Sequence, residues 1–368
     1  MLIQLFFKFF LLYIEITYCK ELSNKYKIFE NWLLSNGAYI SPKITPVEKN
    51  INYRSIVANA TIKQNETLAF IPENLLISSL NKKVNPFCYK LFSYDEKLNE
   101  FECILSFIAY DIKNNNSFFK PYYDYFPSVD FIHPLFYSED LKQKYEITEI
   151  TDYLDIYNIQ INYAYQRLKK YHEVDYSIFL ESLVLVLTRN FGRKNSEYFE
   201  DINTMVPYFD LLNHDNDCNS DFYYDDKKHG FFLNAIKNIE IGEEITDSYG
   251  KENNLDLFIN YGFTIKNNQY KIPLYFSIKH EPYSFHKINE KELLEKIRRI
   301  QETLKCTFDK SLFLLNNKID EKIIKLNKIK TDDINMINII NEEIESYNML
   351  KKLIQNFLAN HFFNKNKN

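Results

Sequence analysis

The sequence predicts an α+β protein: a strand-rich unit over residues 25–270, interrupted by helices at about 85–187, then an all-helical C-terminal region over 271–368. Alternating apolar and polar residues near 53–78 and 230–250 predict short strands. Apolar residues recurring every three or four positions predict helices in the middle and again in the tail. Hydrophobic content of 45% and aromatic content of 17% across 368 residues allow a full core and exclude a disordered chain.

From Lys25 to Asn36, "KYKIFENWLLSN" sets Phe29, Trp32 and Leu33 at helical spacing and stops at Gly37. "YRSIVANATIKQNETLAFIPENLLIS" then reads as strands paired with each other around a turn at Lys63–Glu66. Three helices follow in "NEFECILSFIAYDI", "TDYLDIYNIQINYAYQRLKKY" and "YSIFLESLVLVLTRNF". Between the first two, "FKPYYDYFPSVD" carries Pro121 and Pro127, which are expected to stop any helix. "GFFLNAIKNIEIGEEITDSYG" reads as a short meander turning at Lys237–Asn238 and Gly242. After "IPLYFSI", the segments "NEKELLEKIRRIQETLK" and "INMINIINEEIESYNMLKKLIQNFLANHFF" place Leu, Ile and Phe between Glu and Lys, as amphipathic helices do.

Net charge is −5, which gives no reason to expect nucleic acid as a direct partner and better suits a protein with a basic segment. Five scattered cysteines without a CxxC pair predict neither a zinc site nor a disulfide framework. Residues 1–19, "MLIQLFFKFFLLYIEITYC", read as a candidate signal peptide, with Thr17 and Cys19 at cleavage spacing. Lys8 and Glu15 interrupt the segment and it is too short for a stable membrane span. A signal peptide implies the secretory route or an organelle reached through it; without one, the cytoplasm or nucleus is expected.

The stretch "VPYFDLLNHDNDCNSDFYYDD" invites a calcium reading through its acidic spacing. Such a loop needs Gly at its sixth position and a bidentate Glu at its twelfth. Counting from Asp215, those positions hold Ser220 and Asp226, and the flank "KKHGFFLNAI" reads as turn and strand. Calcium is therefore not expected.

"RNFG" (Arg189–Gly192), "VPYFDLLNH" (Val206–His214), "GEEITDSYG" (Gly242–Gly250) and "ENNLDLFINYGF" (Glu252–Phe263) occur in the order found in SET-domain methyltransferases. Together with the split arrangement, "KPYYDYFP" and the helical tail, they resemble the RuBisCO large-subunit methyltransferase type. The resemblance covers the chain from about Phe29 onward. It implies a SET (β-clip) domain with a helical insertion and a C-terminal substrate-binding domain. The implied activity is methyl transfer from S-adenosylmethionine to a protein, most often to lysine, and otherwise to histidine. A lysine amine has an ordinary pKa of about 10.4, so a channel that desolvates the ammonium favours its reactive neutral form. No metal is needed. A zinc-binding cysteine cluster after the domain, common in histone-directed enzymes, is missing here, which points to a non-histone substrate.

By that resemblance Tyr249 is the catalytic tyrosine. Asn213, His214 and Arg189 are expected to bind the cofactor, together with the backbone of Asn52 and Arg54 and the ring of Phe263. Arg193, placed one helical turn beyond Arg189, is expected on the substrate side with Asp210, Tyr224, Asn254 and Tyr261. Two departures stand out. The family's Gly-x-Gly is replaced by Tyr53 and Ser55, which resist close backbone approach, and Asp247 occupies a usually apolar position. If Tyr53 obstructs the old glycine contact, Tyr53→Gly tightens cofactor binding. The departures also leave room for a second reading, an inactive SET scaffold that binds a protein partner.

Overall fold

The computed structural model describes residues 24–50, 53–94, 98–126, 133–146, 148–171, 173–194, 201–279 and 281–365. The candidate signal peptide (1–19) and Asn52 lie outside the described residues. The first elements are α1 (residues 24–35), β1 (Tyr39–Ile40), β2 (Ile44–Asn50), β3 (Tyr53–Ala58) and β4 (Thr67–Pro72). Helices α2 (Asn85–Tyr94), α3 (Glu100–Asp111), α4 (Lys120–Tyr123), α5 (Glu139–Lys144), α6 (Glu149–Leu168) and α7 (Tyr176–Arg189) follow. Strands return as β5 (Asn190–Lys194), β6 (Asp201–Met205), β7 (Asn213–His214), β8 (Ser220–Asp225), β9 (Gly230–Ala235) and β10 (Glu244–Asp247). The last elements are α8 (Asn254–Tyr261), the hairpin β11 (Leu274–Ile278) and β12 (Glu281–Phe285), α9 (Glu290–Leu304), α10 (Phe308–Leu326) and α11 (Ile334–Lys365).

The chain forms two compact units. One holds the described residues of Met1–Val129 and Tyr163–Gly250, the other those of Asp130–Asn162 and Lys251–Asn368. The division falls at Gly250, not at 270, and part of the expected insertion belongs to the second unit. Side-chain chemistry explains this. Tyr137 donates to Asp333, Tyr157 to Asn260, and the Glu149 amide to Glu343, so the 130–162 segment is bonded to α8, α11 and the approach to α11.

In the first unit, strands form two four-stranded sheets, β1-β4-β9-β8 and β2-β3-β10-β7. This corrects two sequence expectations. β3 and β4 do not pair with each other, and β9 and β10 do not form a meander; each pair is divided between the sheets. The connecting segments meet instead, through a bridge between Ile62 and Ile239, both fully buried. Each mostly polar connector thus contributes one buried isoleucine to the junction, and that burial favours the non-local pairing over a local hairpin. Pro121 also departs from expectation, because it starts α4 instead of preventing it. In the first turn a helix asks for no N–H that proline lacks.

The aromatic residues of α1 and α4 stack into one cluster. Phe29 lies against Tyr122 and Tyr125 at ring distances of 5.7 and 5.1 Å. Helix α3 is capped by Asn99, which exchanges hydrogen bonds with Glu102, and it packs on α7. Cys88 on α2 and Cys103 on α3 form a buried disulfide with Cα atoms 5.6 Å apart, contrary to the cysteine reading from spacing alone. Their separation of 15 residues held no motif; helix packing brings the pair together. Reduction is expected to lower unfolding stability by about 3 kcal/mol, measured by denaturant titration with and without reductant.

The second unit is helical apart from the β11–β12 hairpin, and its core includes Leu293, Ile297, Leu315, Ile319, Tyr347 and Leu350. Among the described residues no helix is long and apolar enough to cross a membrane. Carboxyls lie inside this core. Glu149 accepts from the Tyr347 hydroxyl at 3.1 Å and sits 3.5 Å from Lys322, while Glu343 accepts the Glu149 amide at 2.9 Å. Burial, then the neighbouring Glu149, raise the Glu343 pKa; burial pushes Glu342 up to about 7. Both folded-state values lie above the ordinary 4.5, so the folded state holds extra protons at neutral pH. Their contribution is fully present below pH 4.5 and is lost as pH rises through about 7 and beyond. Thermal melts from pH 5 to 9 are expected to show falling stability, and the double replacement of Glu342 and Glu343 by Gln is expected to flatten that fall.

Candidate active site

The site of the first unit is built where β7 meets β10. Val206, Tyr208, Phe209 and Leu212 are buried and anchor the approach, with Tyr208 held at φ 80° before a single 3-10 turn over Phe209–Leu211. The next residues, Asn213 and His214, run parallel to β10, with Thr246 opposite Asn213 and Asp247 opposite His214. The chain then leaves β10 through Ser248 and folds Tyr249 back over β7. The Tyr249 amide donates to His214 Nδ1 at 2.9 Å, and its hydroxyl donates to the Leu212 carbonyl at 2.5 Å. The two rings lie 5.3 Å apart.

This geometry fixes chemical states. His214 Nδ1 accepts, so the imidazole is the neutral form with its proton on Nε2. Burial, the largest influence, lowers the His214 pKa and agrees with that form. The Tyr249 O–H donates its hydrogen bond to the Leu212 carbonyl, which leaves the lone pairs of the hydroxyl oxygen as acceptors.

Asn213 is held from two sides. Its amide donates to the Arg54 carbonyl and to Glu244 Oε1, both at 2.7 Å. The Tyr53 hydroxyl reaches both Glu244 oxygens at 2.9 Å. The Arg54 side chain points to a separate task, bonding the Tyr125 carbonyl at 2.6 Å and Glu48 at 3.2 Å. The Arg54 side chain is thus engaged away from Asn213, and its carbonyl accepts from the Asn213 amide. Asn219 joins β10 along its backbone, donating to the Glu244 carbonyl and accepting the Thr246 amide. Asp247 faces inward, and burial pushes its carboxyl up to about 7. The acidic residues Asp215 and Asp217 are exposed, and no cluster able to hold a metal occurs among the described residues.

Arg189 and Asp210 come together, though in a buried ion pair. Arg189 Nη1 bonds the Asp210 carbonyl at 2.8 Å and Oδ2 at 3.0 Å, and Tyr122 donates to the same Oδ2 at 2.8 Å. Asp210 is therefore tied up as a structural counter-ion, a role that differs from the expected substrate contact. Arg193 is not one helical turn beyond Arg189: α7 ends there, Asn190 is extended, and Arg193 lies on β5 opposite Ile202. Tyr224, expected on the substrate side, lies in the other sheet and donates to Glu73 at 2.7 Å.

Asn254, Tyr261 and Phe263 belong to the second unit. Asn254 is buried, and its amide clasps the Ile265 backbone, donating to the carbonyl at 2.9 Å and accepting the N–H at 2.8 Å. That fixes the loop after α8 and replaces the expected substrate role with a structural one. Tyr261 and Phe263 pack as a ring pair 6.2 Å apart, flanking Gly262, whose φ of 79° ends α8. Glu244 and Tyr122 escaped sequence reasoning. The "GEE" run and "KPYY" were visible, but only cross-strand register shows which carboxylate meets Asn213.

These features define a SET domain, and a SET-domain family model matches residues 53–250, more than half of the 368 residues. The chain belongs to the SET-domain family. Among its relatives is the ribosomal lysine N-methyltransferase set11 of Schizosaccharomyces pombe, 27% identical over 255 residues covering 67% of this chain and 64% of that protein. The actin-histidine N-methyltransferase of Rhinolophus ferrumequinum is 24% identical over 276 residues, covering 70% of this chain and 45% of that protein. The chain thus spans less than two thirds of the length of the curated relatives it matches. The solved structure of Rubisco LSMT bound to AdoMet superposes with a TM-score of 0.70 at 14% identity, covering 90% of this chain and 91% of that one. The likeness is one of fold: strand-rich SET region and helical C-terminal region alike.

Proposed function

We propose that the chain is an S-adenosylmethionine-dependent protein methyltransferase that modifies lysine on a non-histone protein. One observation carries the reading: Tyr249, clamped by Leu212 and His214, stands beside the two residues, Asn213 and His214, that β10 holds in parallel register. The residues present fit the cofactor. β10 pairs with β3 at Ile56 and Val57, and toward Tyr53 the Asn213 side chain takes over the bond to β3. Ser55 Oγ and Arg189 Nε are buried polar atoms with no hydrogen-bond partner among the described residues. Ser55 follows Arg54, whose carbonyl Asn213 bonds, and Arg189 bonds Asp210, three residues before Asn213; both atoms suit a polar ligand.

S-adenosylmethionine, when bound, supplies a methyl group made electrophilic by its sulfonium. The Tyr249 oxygen and nearby main-chain carbonyls orient the amine and contact the polarised methyl hydrogens. The substrate amine loses its proton to solvent before it is buried. The second unit, rich in amphipathic helices, is the proposed docking surface for the protein substrate. Lysine is favoured by the relation to set11; histidine is the second reading, favoured by the relation to the actin-histidine enzyme. Replacement of the glycines by Tyr53 and Ser55 favours the third, an inactive scaffold. Calorimetric titration with S-adenosylmethionine separates enzyme from scaffold. No heat and no thermal shift at millimolar ligand would leave the scaffold.

We further infer that the protein uses the secretory route. The candidate signal peptide and the buried Cys88–Cys103 disulfide point the same way, since such bonds persist in oxidising compartments. Both cysteines alkylating as free thiols in protein from native cells would reject this.

A further inference from the structure

We infer that Tyr53, acting through Glu244 and through its own hydroxyl contact with the Asn213 amide, is a positioning residue that locks the Asn213 side chain so that its carbonyl oxygen faces the ligand. The inference rests on the methyltransferase reading. Its basis is the closed arrangement of Tyr53, Glu244, Asn213 and Arg54. An asparagine amide has two N–H groups, and here one meets the Arg54 carbonyl and the other meets Glu244 Oε1. Both partners are pure acceptors, so the amide cannot flip: turning Oδ1 toward them would oppose oxygen to oxygen. A ligand group that reaches this side chain therefore meets a hydrogen-bond acceptor, and must itself be a donor. Glu244 is held in turn by the Tyr53 hydroxyl, which bridges both of its oxygens at 2.9 Å.

Tyr53 thus fills the space of the missing glycine with a new task. Instead of letting the backbone approach a ligand, it fastens β3 to the outward face of β10. Tyr53 is 38% exposed, so it is not a core-filling residue. This reverses the expectation from sequence that Tyr53→Gly tightens binding: the loop is rebuilt around Tyr53, and the glycine variant is expected to bind more weakly. The donor that Asn213 reads has one of two sources on the cofactor, the α-ammonium group of the amino-acid end or the exocyclic amine of the adenine.

Calorimetry on the full chain with S-adenosylhomocysteine and with 5′-methylthioadenosine, which lacks the amino-acid end, tests this. Tyr53→Phe removes one oxygen and is expected to weaken S-adenosylhomocysteine binding on the order of fivefold with only a small drop in melting temperature. In an Asn213→Ala background the same change is expected to have no further effect, because Tyr53 acts only through Asn213. Weakening confined to S-adenosylhomocysteine assigns the ammonium as donor; equal weakening of both ligands assigns the adenine amine. Unaltered binding by Tyr53→Phe, or the same loss with and without Asn213, overturns the inference. If Asn213→Ala does not fold, Asn213→Ser serves as the background. Wild-type protein that binds neither ligand overturns the methyltransferase reading itself.

Discussion

Tyr249→Phe is expected to lose turnover by on the order of 100-fold or more while binding cofactor about as well as the wild type. The hydroxyl is the only group removed. Its bond to the Leu212 carbonyl contributes about 1 kcal/mol to stability, so the variant folds. The Tyr249 amide still reaches His214 Nδ1, because that bond is made by the main chain, and the Asn213 clamp does not involve Tyr249. On the proposed mechanism, what disappears is the acceptor oxygen that orients the amine. Single-turnover rates with labelled cofactor, measured beside calorimetric binding, separate the two. Full activity in this variant would remove Tyr249 from the chemistry.

The largest loss of stability is expected from Arg189→Met, about 3–5 kcal/mol in denaturant titration near neutral pH. The Asp210 side chain is buried, and Arg189 and Tyr122 both bond its Oδ2. Burial, the dominant influence, already raises the Asp210 pKa, and Arg189 opposes that rise. Without the guanidinium the pKa climbs further. A raised folded-state value means stability present at low pH and lost as pH rises, so the deficit is expected to be larger at pH 8 than at pH 5. Adding Asp210→Asn removes the stranded charge and is expected to restore part of the loss. A deficit independent of pH would show that packing of the Arg189 stem, not its charge, governs the site.

The order of elements was legible because helical spacing and strand alternation are local properties of the chain. Helix α3, helix α7 and the amphipathic tail follow directly from where Leu, Ile and Phe fall. Pairing was not legible. β3 and β4 are joined by a plausible turn, yet each finds a better partner far along the chain, and alternation alone does not identify that partner. The same limit applies to the site. Tyr249, Asn213 and His214 stand in motifs whose order survives, so the sequence could nominate them. Asp210 and Asn254 stand in the same motifs, but their side chains serve a buried ion pair and a loop clasp. Glu244 acquires its role from register across β3, β7 and β10, and nothing in its local surroundings distinguishes it from Glu243. Cys88 and Cys103 likewise depend on how α2 lies against α3.

Methyl transfer to a protein side chain is tested most directly by incubation with isotopically labelled S-adenosylmethionine and a cell lysate, followed by mass spectrometry of the labelled protein. The expected result is label on a lysine Nζ of a non-histone protein, absent with Tyr249→Phe. Label on a histidine ring nitrogen would correct the acceptor residue and leave the methyltransferase intact. No label, from protein that also gives no calorimetric signal with the cofactor, would contradict the account.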